Sequence, residues 1–151
     1  MRTSRSVAMA MLLCVSSGNS AGADESLPWV FNAPEAKGYS IKLDAVDPAP
    51  GTPLVRGSKV TITVTVTYAM SIAAHGVIIL VPQDEGTRPA SPGTPQVKQE
   101  VSASNGSTTL KQQLVVPKDA KELRVFVPLV PDGLTNTTGE ITIRYPIVRK
   151  K

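Results

Sequence analysis

Apolar and polar residues alternate with a period of two along much of the chain after residue 37. The alternation is clearest in four segments, residues 39–45, 60–68, 110–116 and 141–147. Because successive side chains of a β-strand point to opposite faces of its sheet, this period predicts strands that bury one face and expose the other.

Three more segments also predict strands. Residues 76–81 (GVIILV) are apolar on both faces, which favours a central strand that is covered on each side. Residues 97–103 alternate weakly, and residues 123–130 alternate more strongly. Pro128 lies inside the last segment, and because proline has no backbone N–H group it predicts an edge strand or a bulge there. We expect this strand to be at an edge.

Clusters of Pro, Gly, Asn and Asp separate these seven segments, as chain reversals require. The clusters are residues 47–53, 84–95, 104–107 and 131–139. The SNGS sequence at 104–107 lies between two predicted strands and is the best candidate for a hairpin turn. No segment combines a helical period with caps. The sequence therefore predicts an all-β, antiparallel β-sandwich domain over residues 37–151, preceded by an N-terminal segment at 24–36.

Four threonines share one face of residues 60–68 (VTITVTVTY). Their hydroxyl groups could form a binding surface, but a β-branched residue also suits the solvent side of a pleated strand. We interpret the threonines as that solvent side. The apolar residues between them must then all point inward, because a slip of one residue would bury four hydroxyl groups.

The strand rhythm and loop placement resemble those of a bacterial immunoglobulin-like or fibronectin-III-like domain. Three segments carry the resemblance, in the order GYSIKLDAVDPAPGTPLVRGSKVTITVTVTY, GVIILVP and PLVPDGLTNTTGEITIRYPI. It covers roughly residues 37–148 and implies an immunoglobulin-like β-sandwich of about seven strands. The chain lacks the cysteine pair and the third-strand tryptophan of antibody-type domains.

Residues 1–23 are typical of an export signal peptide. Arg2 and Arg5 precede an apolar run at residues 7–15, and Ala21-Gly22-Ala23 fits the cleavage site. We expect cleavage near Ala23, which would leave 128 of the 151 residues as a secreted or periplasmic protein without a membrane span.

Cys14 is the one cysteine of the chain and lies in the apolar run, so the mature protein would depend on its core rather than on disulfides. Lipid attachment at Cys14 is an alternative, although Leu13 departs from the small residue that a lipoprotein motif requires.

The charge of the chain is too small to indicate a nucleic-acid partner, and we expect none. The chain has 16 basic and 12 acidic residues, and loss of Arg2 and Arg5 would leave 14 basic residues and a net charge of +2. Residues 149–151 (RKK) form a basic cluster that could contact an acidic partner or anionic lipid, but a solvated chain end is the simpler interpretation.

Catalytic and metal-binding patterns are weak in this sequence. His75 is the one histidine, and no G-x-S-x-G turn presents a nucleophile to it. Met70 and His75 flank a predicted turn and are ligand types that suit copper, but two ligands rarely hold a metal ion in water. We predict no catalytic residue, metal site or cofactor; a periplasmic metal or small-ligand carrier is the alternative function.

Aromatic residues and loops are the remaining candidates for function. The segment of Trp29 and Phe31 plugs an open end of the sandwich, adds an edge strand or anchors a partner. Phe126 is out of phase with the apolar residues of its strand, so we expect it at the surface. Sandwich loops often carry binding residues. The predicted partner contacts are Trp29, Phe31, Asp84, Glu85, Arg88, Asp132, Leu134 and Asn136.

The sequence thus predicts an exported, non-catalytic binding or structural module. We expect it to contact another envelope or extracellular protein through its loops or edge strands.

Overall fold

The structure, a computed structural model, describes residues 28–90, 92, 96–102 and 104–151. The predicted signal peptide, with Cys14 and the cleavage site, lies outside these residues, as does part of the loop at 84–95. No helix able to cross a membrane is found in the part of the chain that is described.

The described chain forms nine strands, of which seven match the segments predicted from periodicity. In chain order they are β1 (Val30–Asn32), β2 (Tyr39–Asp47), β3 (Leu54–Val55), β4 (Lys59–Met70), β5 (Gly76–Asp84), β6 (Val97–Val101), β7 (Asn105–Val115), β8 (Glu122–Pro131) and β9 (Gly139–Val148).

The strands form two sheets. The larger has the order β1-β9-β8-β5-β6, and β3 also pairs with β9; the smaller has the order β2-β4-β7. All pairs are antiparallel except β3 with β9. The predicted all-β fold, an antiparallel β-sandwich, is confirmed.

The core lies between the two sheets. Ile62, Val64 and Val66 of β4 are fully buried, and so are Leu123 and Val125 of β8. The threonines of β4 occupy the opposite face, which is more exposed. The register predicted from the threonine pattern is therefore confirmed, because the apolar residues of this strand point inward.

Pro128 lies in a central strand, so the prediction of an edge was wrong. β8 pairs with β9 on one side and with β5 on the other. The pairing with β5 stops after Ile78 opposite Leu129 and resumes at Val81 opposite Phe126. The sheet tolerates a proline here because the ladder is interrupted where its missing N–H group would be needed.

The hairpin predicted at residues 104–107 was also wrong. The chain crosses there from β6 in the larger sheet to β7 in the smaller sheet. Asn105 and Gly106 belong to β7, and Gly106 lies opposite Tyr68 of β4. A Cβ atom on Gly106 would lie 2.9 Å from the Tyr68 hydroxyl oxygen. Glycine at this position therefore leaves space for the Tyr68 ring and does not form a turn.

The central position predicted for β5 is confirmed, but the prediction that both of its faces are covered was wrong. The smaller sheet packs over one face only. On the other face Val77, Ile79 and Val81 remain half-buried, although all are apolar. This partly exposed apolar face of the larger sheet is therefore a candidate interaction surface.

Candidate functional site

The candidate site is the outer face of the larger sheet, which points away from the core. Side chains alternate between the faces of a strand, so the residues in phase with Phe126 share this surface. The register aligns Phe31 of β1 with Thr142 of β9, Thr142 with Phe126 of β8, and Phe126 with Val81 of β5. We call Phe31, Phe126 and Val81 the apolar row.

Phe126 separates two shallow depressions on this face. One has a volume of about 270 Å³ and is lined by Pro28, Phe31, Arg124, Phe126, Thr142 and Arg144. The other has a volume of about 240 Å³ and is lined by Val81, Gln83, Phe126, Pro128 and Glu140. Depressions on either side of a ring suit apolar side chains of a partner better than they suit an enclosed small molecule.

Arginines border the apolar row on one side. Arg124 and Arg144 lie opposite each other on β8 and β9. The Glu122 carboxylate accepts hydrogen bonds from the Nε of Arg124 at 2.6 Å and from the Nε of Arg144 at 3.0 Å, and a further one from the Nη2 of Arg144. Burial alone would raise the pKa of Glu122, but the hydrogen bonds from the two arginines outweigh it and hold the pKa below its usual value.

Trp29 continues this row of arginines at the edge of the sheet. The Arg144 guanidinium carbon lies 5.7 Å from the centre of the Trp29 ring, a cation–π distance. The Arg144 backbone N–H donates to the Trp29 carbonyl oxygen at 2.8 Å. Trp29 also packs against Gly51, whose Cβ, if present, would lie 2.9 Å from three ring atoms. The ring is thus held in place while 44% of the residue stays exposed.

Glu140 borders the other side of the apolar row. It lies opposite Pro128 and lines the second depression. Burial raises its pKa, and no ion pair to it is found within the described chain. The outer face therefore combines an apolar centre with guanidinium groups on one side and a carboxylate on the other.

The structure assigns the segment of Trp29 and Phe31 to an edge strand. β1 pairs with β9, Val30 lying opposite Ile143. Phe31 is 52% exposed and points to the outer face. β1 falls in the stretch that the sequence treats as an N-terminal segment, but it extends the larger sheet.

The Asp84 carboxylate is buried and organises its own turn, whereas the exposed Glu85 joins this turn to the loop before β8. Asp84 is 5% exposed, and its carboxylate accepts hydrogen bonds from the backbone N–H groups of Gly86 at 2.8 Å and Arg88 at 2.9 Å and from the Arg88 Nε at 2.7 Å. The Glu85 carboxylate accepts from the backbone N–H of Lys121 at 3.0 Å. The Arg88 side chain is 72% exposed.

These bonds lower the pKa of both carboxyl groups. For Asp84 the backbone bond from Arg88 is the main cause. For Glu85 burial acts in the opposite direction, but the bonds from backbone N–H groups outweigh it.

Asp132, Leu134 and Asn136 are exposed in the loop after β8. The Asp132 backbone N–H donates to the His75 carbonyl oxygen at 2.9 Å. This loop meets the first residue of β5, whereas Asp84 is the last, so the two groups of predicted loop contacts lie at opposite ends of the sandwich. The structure does not bring them together.

His75 lies beside a polar cavity of about 460 Å³ that Ser102, Asp132 and Glu100 also line. No hydrogen bond joins the side chains of these residues in the structure. Met70, the other candidate metal ligand, is 1% exposed and packs in the core. Among the described residues, no three His, Cys, Asp or Glu side chains are grouped as a metal site would need.

Sequence reasoning missed Glu122, Arg124 and Arg144 as parts of a surface. A signal was available, because Glu122 and Arg124 are in phase with Phe126 on their strand, and Arg144 alternates with the apolar residues of β9. The pairing of β8 with β9, which brings these three residues together, could not be predicted from the sequence pattern.

Comparison with known proteins assigns no family. No protein-family profile matches the chain, and no curated protein matches it. Among solved structures, a β-glucosidase from Listeria innocua in complex with glucose aligns with a TM-score of 0.42 and 17% identity over 72% of this chain. The chain spans only 16% of that β-glucosidase. The apo-form Calx CBD1 domain aligns with a TM-score of 0.39 and 10% identity over 74% of this chain and 98% of the domain.

Proposed function

We propose that the chain is an exported, non-catalytic binding module that contacts another envelope or extracellular protein. The contact surface is the outer face of the larger sheet together with its edge strand β1. The observation that carries this proposal is the apolar row, in which an exposed Phe31, then Phe126 and Val81, are aligned across four neighbouring strands, with Thr142 of β9 between Phe31 and Phe126. Phe31 and Phe126 line the same depression, and exposed apolar side chains that are grouped on a sheet face are typical of interaction sites.

Charge on the two sides of the row defines the partner further. The guanidinium groups of Arg124 and Arg144 lie on one side of the row, where both bind the Glu122 carboxylate. Glu140 supplies negative charge on the other side. The complementary partner places an apolar side chain over Phe126, an acidic group towards the arginines and a basic group towards Glu140.

Export is part of the proposal and rests on the sequence of residues 1–23. The finer fold assignment, an immunoglobulin-like or fibronectin-III-like domain, is supported by strand order: three strands, β2-β4-β7, face four consecutive strands, β6-β5-β8-β9. The non-catalytic part of the proposal rests on the sequence, in which His75 is the one histidine and no G-x-S-x-G turn presents a nucleophile.

Site-specific photo-crosslinking tests the contact surface. A p-benzoylphenylalanine replaces Phe31 or Phe126 in the full chain, and the cells that produce it are irradiated. The matched control carries the probe at Lys111, an exposed residue on the smaller sheet, and loop probes replace Arg88 or Leu134. We expect one and the same crosslinked protein from positions 31 and 126 and none from 111.

Crosslinks from Arg88 or Leu134 alone would assign binding to the loops and reject the sheet face. Equal crosslinking from Lys111 would show non-specific contact, and no crosslink from any position would reject a protein partner.

A further inference from the structure

One end of the sandwich gathers seven basic side chains, which we call the basic end. Its members come from three separate parts of the sequence and are Arg56, Lys59, Lys118, Lys121, Arg149, Lys150 and Lys151. They are half of the basic residues in the described chain, which has 14.

Backbone contacts at the end of β9 bring these parts together. The Arg56 N–H donates to the Val148 carbonyl oxygen at 3.0 Å, next to residues 149–151. The Ile147 N–H donates to the Lys121 carbonyl oxygen at 2.8 Å. These two bonds place the turn after β3 and the loop before β8 on either side of the same strand end.

Lys118 and Lys59 complete the group. The Arg56 Nη1 donates to the Lys118 carbonyl oxygen at 3.1 Å. The Lys118 side chain lies over Gly57, where a Cβ atom would be 3.3 Å from its Cε. Lys59, the first residue of β4, lies opposite Val115.

The basic end carries a clear excess of positive charge. No ion pair joins any of its seven side chains to a carboxylate in the described chain. Six are exposed, and Arg56 is half-buried. Glu122 binds the arginines of the outer face, which leaves Glu85 and Asp119 as the exposed acids near these loops, so positive charge still exceeds negative charge.

Apolar surface is interspersed with these charges. Val148 and Val115 are 39% and 42% exposed. Val115 also lines a depression of about 440 Å³, with Lys59 and Lys118 among the other lining residues and Leu114, Val116 and Pro117 among the apolar ones.

We propose that the basic end docks the protein on a membrane surface that exposes anionic phosphate headgroups. Most of these side chains are lysines, whose ammonium group lacks the planar, bidentate donor geometry of arginine. Lysine therefore suits a diffuse layer of phosphate groups better than it suits a single oriented carboxylate. The two valines fit the boundary between headgroups and acyl chains. This surface is distinct from the apolar row, so the inference does not depend on the protein-binding function.

Vesicle sedimentation tests the inference on the full chain. One set of vesicles is an equal mixture of phosphatidylglycerol and phosphatidylcholine, and the other is phosphatidylcholine alone. The test variant replaces Lys118, Lys121, Lys150 and Lys151 with Gln. The matched control replaces Lys37, Lys42, Lys98 and Lys111, which are exposed lysines elsewhere, so both variants lose the same charge.

We expect the wild type and the control variant to bind the anionic vesicles, and the test variant to bind them weaker by about tenfold or more. Binding of the wild type should fall in about 0.5 M salt, which screens charges beyond a few ångströms. Residues 1–27 are common to all three proteins, so any binding that they cause is the same in each.

Two results would overturn the inference. One is equal binding of the two variants, or equal binding to both kinds of vesicle. The other is binding of the wild type to soluble polyglutamate but not to the anionic vesicles. In that case the basic end binds an acidic protein instead of a membrane.

Discussion

Arg124 on β8 and Arg144 on β9 lie directly opposite each other, and the Glu122 carboxylate accepts hydrogen bonds from both guanidinium groups. Like charges in opposite positions of two strands destabilise a sheet. Glu122 lies two residues before Arg124, on the same face, and its side chain is 14% exposed. One carboxylate thus makes the pair of arginines compatible with the fold.

Replacing Glu122 with Gln should therefore destabilise the protein. We expect a loss of about 1–3 kcal/mol in the free energy of unfolding, because two partly buried guanidinium groups lose the negative charge of Glu122. Urea denaturation at neutral pH measures it. Glu100→Gln is the matched control on an exposed position of β6 and should change the free energy by less than about 0.5 kcal/mol. Equal losses in the two variants would contradict the role of Glu122.

The same carboxylate should make stability depend on pH. The pKa values of Glu122, Asp84 and Glu85 are lowered in the folded protein, so the stabilisation from these groups is complete above the usual carboxyl pKa. It is lost as the pH falls through the lowered folded values. We expect the free energy of unfolding to decrease from about pH 5 to pH 3.

Two variants check the sign of this dependence. Glu122→Gln should make the decrease shallower. The pKa of Glu140 is raised by burial, so this group opposes the decrease, and Glu140→Gln should make it steeper. A slope that neither variant alters would show that other groups control acid stability.

The buried hydroxyl of Tyr145 should contribute to stability through one hydrogen bond. It donates to the Pro48 carbonyl oxygen at 2.8 Å, in a fully buried residue. Burial, and then the charge of Asp47, raise the pKa of this phenol, so it remains a donor at neutral pH. We expect Tyr145→Phe to cost about 1–2 kcal/mol in denaturation experiments. Tyr39→Phe, at a half-buried tyrosine without such a bond, should cost much less; the opposite order would refute this assignment.

Gly106 should be intolerant of a side chain because of Tyr68. A Cβ atom at Gly106 would lie 2.9 Å from the Tyr68 hydroxyl oxygen. We expect Gly106→Ala to destabilise the protein by about 1–3 kcal/mol. The same change made in a Tyr68→Leu background should cost less, since the clash is removed. Equal costs in both backgrounds would indicate that the backbone conformation of Gly106, and not the ring, requires glycine.

The order of strands in the sheets explains most differences between sequence and structure. Pro128 suggested an edge because proline lacks a donor, yet β8 is central and the ladder is interrupted locally. Asn105-Gly106 suggested a hairpin, yet the chain changes sheets there. In both cases the local chemistry was recognised, but several arrangements satisfy it, and contacts between distant segments select one.

The candidate site, too, could be predicted only in part from the local sequence. The phase of Phe126 predicted a surface position, and the aromatic pair Trp29 and Phe31 was singled out from composition. Their alignment with Arg144 and Val81 depends on which strands are neighbours, and no single segment contains that information. Asp84, expected at the surface because it lies in a loop-forming cluster, is instead buried by the hydrogen bonds of its own turn.

The sequence by itself determined seven of the nine strands and, where apolar and polar residues alternate, which face of the strand is buried, because the period of two is a local consequence of backbone geometry. Only the tertiary structure decided the order of the strands, the uncovered apolar face of β5 and the gathering of seven basic side chains at one end. These depend on long-range backbone pairing, in which residues far apart in sequence, such as Arg56 and Val148, come into contact.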